Sequence, residues 1–214
     1  LHKLRHTHNL VSVGELIDSK VISISTGVEI GKLSYGTGTI PFIRTSDLTN
    51  WEVKIDPKHG VNEEIYKKYH KKCNLQENDI LMVRDGTYLI GTTALITKYD
   101  VGNLFQSHIF NIRILKPEVI SPFVLLAILN SPIVKKQIRS KQFTQDIIDT
   151  LGRRILEIIL PVPKNASFKK KIENTVKEIV QTRANLRNKA KEISLEVVGK
   201  QIVDKEDKDI LEIL

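Results

Sequence analysis

The sequence predicts an α+β fold, with a small mixed or antiparallel β-sheet and flanking helices, followed by a long coiled-coil-type α-helix. Short apolar runs separated by turn residues fill residues 11–116, which is typical of strands. After Ser121 the apolar residues recur with a helical period instead. Between Phe168 and Val198 there is neither Pro nor Gly, so one uninterrupted helix is expected there.

Strands are expected at five apolar segments in the first part of the chain. Each segment is rich in β-branched, aromatic or other apolar residues and is bounded by turn residues. One helix is expected among them, with Asn62 as its N-cap and with Glu63 and Glu64 in the first turn, where carboxylates favour the helix dipole. The predicted strands are residues 21–24, 42–43, 80–83, 94–96 and 109–115.

Two helices are predicted after Ser121. Ser121-Pro122 is typical of a helix start, because serine caps the first free N–H groups and proline fits the first helical position. The helix is expected to end at Asn130-Ser131-Pro132, and a basic helix follows over residues 133–138.

A last apolar strand is predicted over residues 155–160. Pro161-Val162-Pro163 is expected to end it, because proline cannot donate to a strand ladder. We therefore place one domain at residues 1–163, and the long helix with a C-terminal tail at residues 164–214.

The long helix carries a stripe of residues whose spacings alternate between four and three, which indicates a heptad seam. Little of the domain remains for such a long helix to lie on, so the stripe predicts a partner. The alternative is a single amphipathic helix that packs on its own domain. The seam residues are Ile172, Val176, Ile179, Arg183, Leu186, Ala190, Ile193 and Val197.

Composition favours a polyanionic partner. The chain has 214 residues and a formal net charge of +8, which suits nucleic acid, an acidic membrane surface or an acidic protein. Cys73 is the sole cysteine, so an internal disulfide is excluded and a reducing, cytoplasmic setting is expected. No apolar run approaches the length of a membrane span.

Neither a cofactor nor a metal is expected. Gly36-Thr37-Gly38-Thr39 lacks the Lys-Ser or Lys-Thr ending of a nucleotide-binding loop and predicts a turn between strands. The six histidines show no His-Glu-x-x-His spacing. The glycines therefore do not predict a nucleotide site, and the histidines do not predict a zinc site.

Two polar turns after apolar runs are the best candidates for a binding surface. One run ends at Arg44 and the other at Arg84, each beside a carboxylate and hydroxyl groups that can contact phosphates or base edges. Ordinary strands with ordinary turn chemistry are the alternative. Gln106 and His108 lie together in a further strand, where His108 is either a base contact or a half-buried, hydrogen-bonded histidine.

A basic cluster follows at the third helix, where positive charge lies next to amides that can pair with adenine. A solvated charged face is the alternative. With the two turns, it completes a set of candidate DNA-binding residues: Arg44, Thr45, Ser46, Asp47, Arg84, Asp85, Thr87, Tyr88, Gln106, His108, Lys135, Lys136, Arg139, Lys141, Gln142 and Gln145.

One pattern suggests an enzyme instead. Asp47, Glu52 and Lys54 resemble the two carboxylates and the lysine with which many nucleases hold magnesium. The gap between the two carboxylates is short for residues on separate strands, so an exposed polar strand is the alternative. A non-enzymatic adaptor that acts through the C-terminal helix is a third hypothesis.

In order and spacing, several stretches resemble the DNA-specificity subunits of type I restriction-modification systems. They are also similar to the target-recognition domains fused to type IIG enzymes. The resemblance covers nearly the whole chain. The matching stretches are residues 38–47, 78–91, 106–113, 126–131 and 142–163, followed by the long helix.

The resemblance implies a target-recognition domain that binds double-stranded DNA, followed by a dimerising spacer helix. In that family two such halves form a subunit, their helices pair antiparallel, and the subunit docks an adenine methyltransferase and a translocase-nuclease. It implies that this chain is not itself an enzyme. Since the chain holds one half, a natural half-subunit, a shortened chain and the tail of a fused methyltransferase all remain open.

Overall fold

In the computed structural model, thirteen strands and five α-helices are defined over the described residues, which are 2–49, 51–54, 57–86, 88–145 and 148–198. The helices are α1 (Val13–Asp18), α2 (Glu63–Cys73), α3 (Pro122–Leu129), α4 (Pro132–Lys141) and α5 (Ala166–Val198). The strands are β1 (His8–Ser12), β2 (Ile22–Thr26), β3 (Phe42–Ile43), β4 (Leu48–Thr49), β5 (Glu52–Val53), β6 (Ile80–Val83), β7 (Asp85–Gly86), β8 (Thr93–Leu95), β9 (Leu104–Phe105), β10 (Ile109–Ile114), β11 (Phe143–Gln145), β12 (Ile148–Thr150) and β13 (Ile159–Pro163). No helix in this part of the chain is long and apolar enough to cross a membrane.

A four-stranded antiparallel sheet forms the centre of the fold, in the order β2-β10-β6-β8. Every residue of β6 is buried, because both faces of the sheet are covered. Successive side chains of a strand point to opposite faces. Ile80 and Met82 accordingly belong to one apolar core, and Leu81 and Val83 belong to another.

The two cores differ in what covers the sheet. The first contains residues of α1, α3, α4 and the start of α5. The second contains β3, β9 and α2, together with the β4–β5 hairpin. Smaller pairings surround the centre: β1 with β13, β3 with β9, and the three-stranded sheet β11-β12-β7. The predicted α+β fold class is confirmed.

Local sequence patterns correctly predicted most of the central strands and helices. The five predicted strands correspond to β2, β3, β6, β8 and β10, and the three predicted short helices to α2, α3 and α4. Asn62 caps α2 by accepting a hydrogen bond from the Ile65 N–H at 3.0 Å. Ser121 caps α3 by accepting one from the Val124 N–H at 3.3 Å.

The strand prediction over residues 155–160 was wrong. A 3₁₀ helix occupies Gly152–Glu157, and β13 begins later and includes both prolines. Pro161 and Pro163 lie two residues apart, so their nitrogens face the same side of the strand. In a two-stranded sheet that side is the open edge, where no ladder N–H is required.

β1 and α1 were not predicted from the sequence. The pattern Ser12-Val13-Gly14-Glu15 is a capping box, in which Ser12 accepts from the Glu15 N–H at 3.1 Å and Glu15 accepts from the Ser12 N–H at 2.6 Å. This local pattern could have identified α1. β1 could not be found in the same way, because its partner β13 lies about 150 residues further along the chain.

The first half of α5 packs on the domain that precedes it. Val176, Val180 and Ala184 are each about 5% exposed and face α3 and the sheet. The predicted heptad seam and this domain-facing stripe share Ile172 and Val176. Beyond Val176 they diverge, because the seam alternates spacings of four and three, whereas a straight helix buries an i, i+4 row along its neighbour. Ile179, at a seam position, is only half-buried.

Beyond this contact the seam residues are open. Leu186 is 62% exposed, Ile193 is 50% exposed and Val197 is 81% exposed, while Arg183 and Ala190 are also exposed. The domain therefore covers the beginning of the stripe and leaves its distal half uncovered.

An ion pair fixes α5 to the domain at the end of the docked part. Arg187 Nη2 donates to Asp100 Oδ1 at 2.7 Å, and Nη1 donates to the Val53 carbonyl. Asp100 is almost fully buried, and its other oxygen accepts from the backbone N–H and the hydroxyl of Thr97. The helix is thus tied to the turn that leads into β9.

We expect Arg187→Ala to lower the free energy of unfolding by about 2–3 kcal/mol, because it leaves the buried Asp100 carboxylate without a charged partner. Urea denaturation measures this loss. As a control, Glu157→Gln breaks an exposed ion pair with Lys141 and should lower the free energy of unfolding much less. Equal, small losses in both variants would show that the Arg187 contact does not hold the helix.

Candidate nucleic-acid interface

Strand pairing brings the two predicted turns to one edge of the protein. β10 begins beside the end of β6, with Ile109 opposite Val83, and the Arg84 N–H donates to the His108 carbonyl at 2.9 Å. β9 runs parallel to β3, so the Gln106 N–H donates to the Ile43 carbonyl at 2.9 Å. The segment 106–108 thus lies between the turns after β3 and β6.

We call this surface the polar edge; it comprises residues 44–47, 84–86, 88 and 106–108. Tyr88 stands in the loop after β7 and is 88% exposed. Ser46 is exposed, and Thr45 and Gln106 are half-buried. Thr87 lies outside the described residues.

The Asp85 carboxylate is the centre of the polar edge. It is only 4% exposed, and it accepts hydrogen bonds from Arg84 Nε at 2.8 Å and Nη2 at 2.5 Å, from His108 Nδ1 at 2.8 Å and from the Thr150 hydroxyl. Burial alone raises the pKa of Asp85, but the hydrogen bonds from Arg84, Thr150 and His108 outweigh it and hold that pKa below its usual value. An ionised carboxylate accepts only, so His108 Nδ1 carries a proton in this contact.

This arrangement orients Arg84. Asp85 takes the Nε and Nη2 side of the guanidinium, and Cζ lies 5.9 Å from the centre of the Phe110 ring. The Nη1 side is not used by Asp85. A guanidinium held along one side in this way can offer the other to a planar acceptor with little further loss of side-chain entropy.

Arg44 is oriented by aromatic neighbours. Its Nη1 lies 3.0 Å from His59 Nε2, and its Cζ lies 5.6 Å from the centre of the Tyr35 ring. Asp47 is 5% exposed, and its carboxylate accepts from the Arg44 N–H at 2.7 Å. Asp47 therefore closes the turn that presents Arg44.

Asp47 and Asp85 lie at the base of the polar edge. Both carboxylates are largely buried and accept hydrogen bonds from neighbouring groups, and their direct contact with DNA stays a prediction. The sequence pattern identifies them as part of the site without distinguishing a surface carboxylate from one that positions the arginine beside it.

The basic helix α4 divides into two kinds of residue. The Lys135 ammonium donates to the Gly91 carbonyl, and burial together with the nearby charge of Arg139 lowers the pKa of Lys135. Lys141 is paired with Glu157 at 2.6 Å. Lys136 and Arg139 are exposed, so they are the cations of this helix that are most accessible to a polyanion.

The hairpin β11–β12 extends the polar edge. It was not predicted from the sequence. β12 pairs with β7, with Thr150 opposite Asp85, which brings the hairpin against the Asp85 carboxylate. The Arg154 guanidinium lies 4.5 Å from the centre of the Phe143 ring at the base of the hairpin. Gln142, at the end of α4, is half-buried, and the side chain of Gln145 lies outside the described residues.

The described residues around Asp47 do not favour the nuclease alternative. Asp47 closes a turn, and its carbonyl accepts from the Lys54 N–H at 2.7 Å across the β4–β5 hairpin. Among the residues with described positions, no three His, Cys, Asp or Glu side chains converge in a way that could hold a metal ion.

Comparison with known proteins defines the family of the chain. The family model described as "Type I restriction modification DNA specificity domain" matches residues 11–196. The chain belongs to this family. No curated protein sequence matches it significantly.

Solved structures share the fold over most of the chain. The S subunit of a type I restriction-modification system from M. genitalium aligns with a TM-score of 0.57 and 15% identity over 92% of this chain and 44% of its own. A chain from a structural study of complex assembly and conformational transition of the type I R-M system aligns with a TM-score of 0.50 and 17% identity, over 93% and 45%. The HsdS subunit from Thermoanaerobacter tengcongensis gives 0.48 and 16%, over 92% and 44%. The chain thus spans less than half the length of these structures.

We expect Asp85→Asn to lower the free energy of unfolding by about 2 kcal/mol near neutral pH, because charge-assisted hydrogen bonds are lost. Since folding lowers the pKa of Asp85, its contribution is complete above the ordinary aspartate pKa of about 4 and is lost as the pH falls through the folded value. The difference between wild type and variant should therefore shrink in acid. Urea denaturation between pH 3 and pH 7 measures it.

Asp18→Asn is the control, because Asp18 is exposed at the end of α1; its effect should stay within about 0.5 kcal/mol at every pH. A stability difference for Asp85→Asn that does not change with pH would contradict the assigned ionisation of Asp85.

Proposed function

We propose that the chain binds double-stranded DNA sequence-specifically, as half of the specificity subunit of a restriction-modification system. In this role it directs an adenine methyltransferase, and a restriction subunit where cleavage occurs, to its site. Family membership and the net charge of +8 support this. Catalysis belongs to the partner subunits, and the chain itself acts in the cytoplasm without a cofactor.

The observation that carries the proposal is the convergence of donors on one rigid edge. Arg44, Arg84 and the pair Gln106 and His108 come from three separate segments, yet backbone hydrogen bonds to a buried sheet fix their relative positions. Base edges in a major groove present fixed patterns of donors and acceptors, which a reader of sequence has to match with equally fixed groups.

The proposed roles follow from side-chain chemistry. Arg84 and Arg44 pair with guanine, and Gln106 pairs with adenine, because these combinations give two hydrogen bonds each. Ser46, Tyr88 and His108 complete the base-facing surface. Lys136 and Arg139 on α4 hold phosphates, which adds affinity without sequence preference.

The helix supplies the second part of the proposal. Residues 1–163 form the target-recognition domain, and the helix that follows acts as a spacer towards a second half. The exposed distal seam, with Leu186, Ile193 and Val197, is the surface through which α5 pairs with a second helix or with the methyltransferase subunit. The length of α5 would set the distance between two recognition domains.

We expect Arg84→Ala and Arg44→Ala each to cost about 1–3 kcal/mol on the preferred duplex and to relax the preference at one base pair. Lys136→Ala and Arg139→Ala should weaken binding to all duplexes alike and flatten its salt dependence, because they remove phosphate contacts. Titration of preferred and scrambled duplexes at several salt concentrations separates the two classes.

Glu118→Gln is the control and should leave sequence preference unchanged. Glu118 lies in the turn after β10, at the opposite end of that strand from His108. If all four replacements caused the same uniform loss, the assignment of base contacts to the polar edge would be wrong. A chain without measurable duplex affinity at low salt would favour the adaptor hypothesis.

Replacing Leu186 and Ile193 together with Asp should abolish pairing through α5, because each change would bury an uncompensated carboxylate in an apolar contact. The domain should stay folded, since both side chains point away from it. Sedimentation of the chain, alone and with its methyltransferase subunit, measures the result. The matched control places Asp at Lys191 and Ser194, two exposed residues outside the seam, and should leave assembly intact.

If the wild-type chain sediments as a monomer both alone and in the presence of the methyltransferase subunit, the proposed pairing is excluded.

A further inference from the structure

Glu29 is an exposed acidic residue that lies beside the polar edge. The segment after β2 alternates between buried and exposed positions: Val28 is 1% exposed, Glu29 is exposed and Ile30 is 7% exposed. This alternation directs Glu29 outward. The Ser107 hydroxyl donates a hydrogen bond to the Glu29 carboxylate, so the carboxylate lies directly beside the segment 106–108.

Backbone contacts fix this position. The Val28 N–H donates to the Phe105 carbonyl at 2.9 Å, and the Ser107 N–H donates to the Val28 carbonyl at 3.0 Å. The approach of the two segments requires Gly27, because a Cβ there would lie 2.1 Å from the Phe105 carbonyl oxygen. Glu29 is therefore held in register with Gln106 by the main chain, and its location does not depend on a flexible loop.

The charge of Glu29 is unusual for this surface. Within the described residues its hydrogen bond comes from a neutral hydroxyl, and no lysine or arginine pairs with it. A carboxylate near DNA is repelled by phosphates. It is favourable only where it accepts a hydrogen bond from an exocyclic amino group, which cytosine and adenine present in the major groove.

We propose that Glu29 is a specificity-determining residue that accepts a hydrogen bond from the exocyclic amino group of one base, cytosine N4 or adenine N6. The inference rests on the proposed function, since it assigns a role within the same DNA-binding surface. Ser107 acts as a positioning residue that orients the carboxylate towards the groove. The arginine and amide groups beside Glu29 determine the base preference at the other positions of the DNA site.

The test compares the full chain with Glu29→Gln by selecting duplexes from a randomised pool. We expect the wild type to prefer an amino-bearing base at one position and Glu29→Gln to lose that preference about tenfold there, because an amide both donates and accepts. All other positions should be unchanged. Affinity for unrelated duplexes should stay the same or rise, because a charge that repels phosphates is removed.

Two controls separate specificity from structure. Glu118→Gln makes the same charge change at an exposed residue of the turn that follows the far end of β10, and should leave the selected sequence and the affinities unchanged. Ser107→Ala should reduce the preference at the same single position, because the carboxylate is less well oriented. Thermal unfolding of each variant shows whether the fold is retained.

An unchanged selected sequence with Glu29→Gln would overturn the inference. So would a uniform loss of affinity for all duplexes, shared with Ser107→Ala and accompanied by a lower melting temperature, because Glu29 would then only stabilise the edge. If Arg84→Ala alters the preference while Glu29→Gln does not, Glu29 alone has been misassigned. If neither variant changes any preference because the wild type has none, the proposed function fails as well.

Discussion

The buried carboxylate of Asp85 is the interaction on which the polar edge depends. It binds side chains from three separate parts of the chain: its neighbour Arg84, His108 at the start of β10, and Thr150 at the end of β12. A buried charge of this kind is stable only when its hydrogen-bonding capacity is filled, so the three segments have to arrive together. The same contact that joins the central sheet to the β11–β12 hairpin also orients the arginine of the surface.

Buried and exposed residues have different roles at the polar edge. Buried residues such as Val28, Val83 and Ile109 set the backbone register, and exposed side chains project from positions that this register fixes. Substitution of Glu29 or Tyr88 would leave the apolar cores untouched, because neither side chain contributes to them. A surface built in this way can change what it contacts while the fold remains the same.

Sequence reasoning succeeded where the determining information is local. The caps at Asn62 and Ser121 and the apolar run at β6 follow from patterns within a few residues. It failed for the pairing of β1 with β13 and of β12 with β7. The register between distant segments depends on tertiary packing, which local sequence patterns do not reveal. The internal contacts of Asp47 and Lys135 were not predicted either, while the DNA contacts of Arg84 and His108 stay predictions.

The docking of α5 has a consequence for where the chain could be divided. The first part of the helix is packed on its own domain through Val176, Val180 and Ala184, and Arg187 closes the contact. A recombination event with its crossover at Pro163 would combine one domain with a helix shaped for another, and would leave Asp100 facing a foreign side chain. A crossover beyond Arg187 would transfer the domain together with the helical turns that fit it. The part of the chain that packs as one unit is therefore longer than residues 1–163, and it ends inside α5.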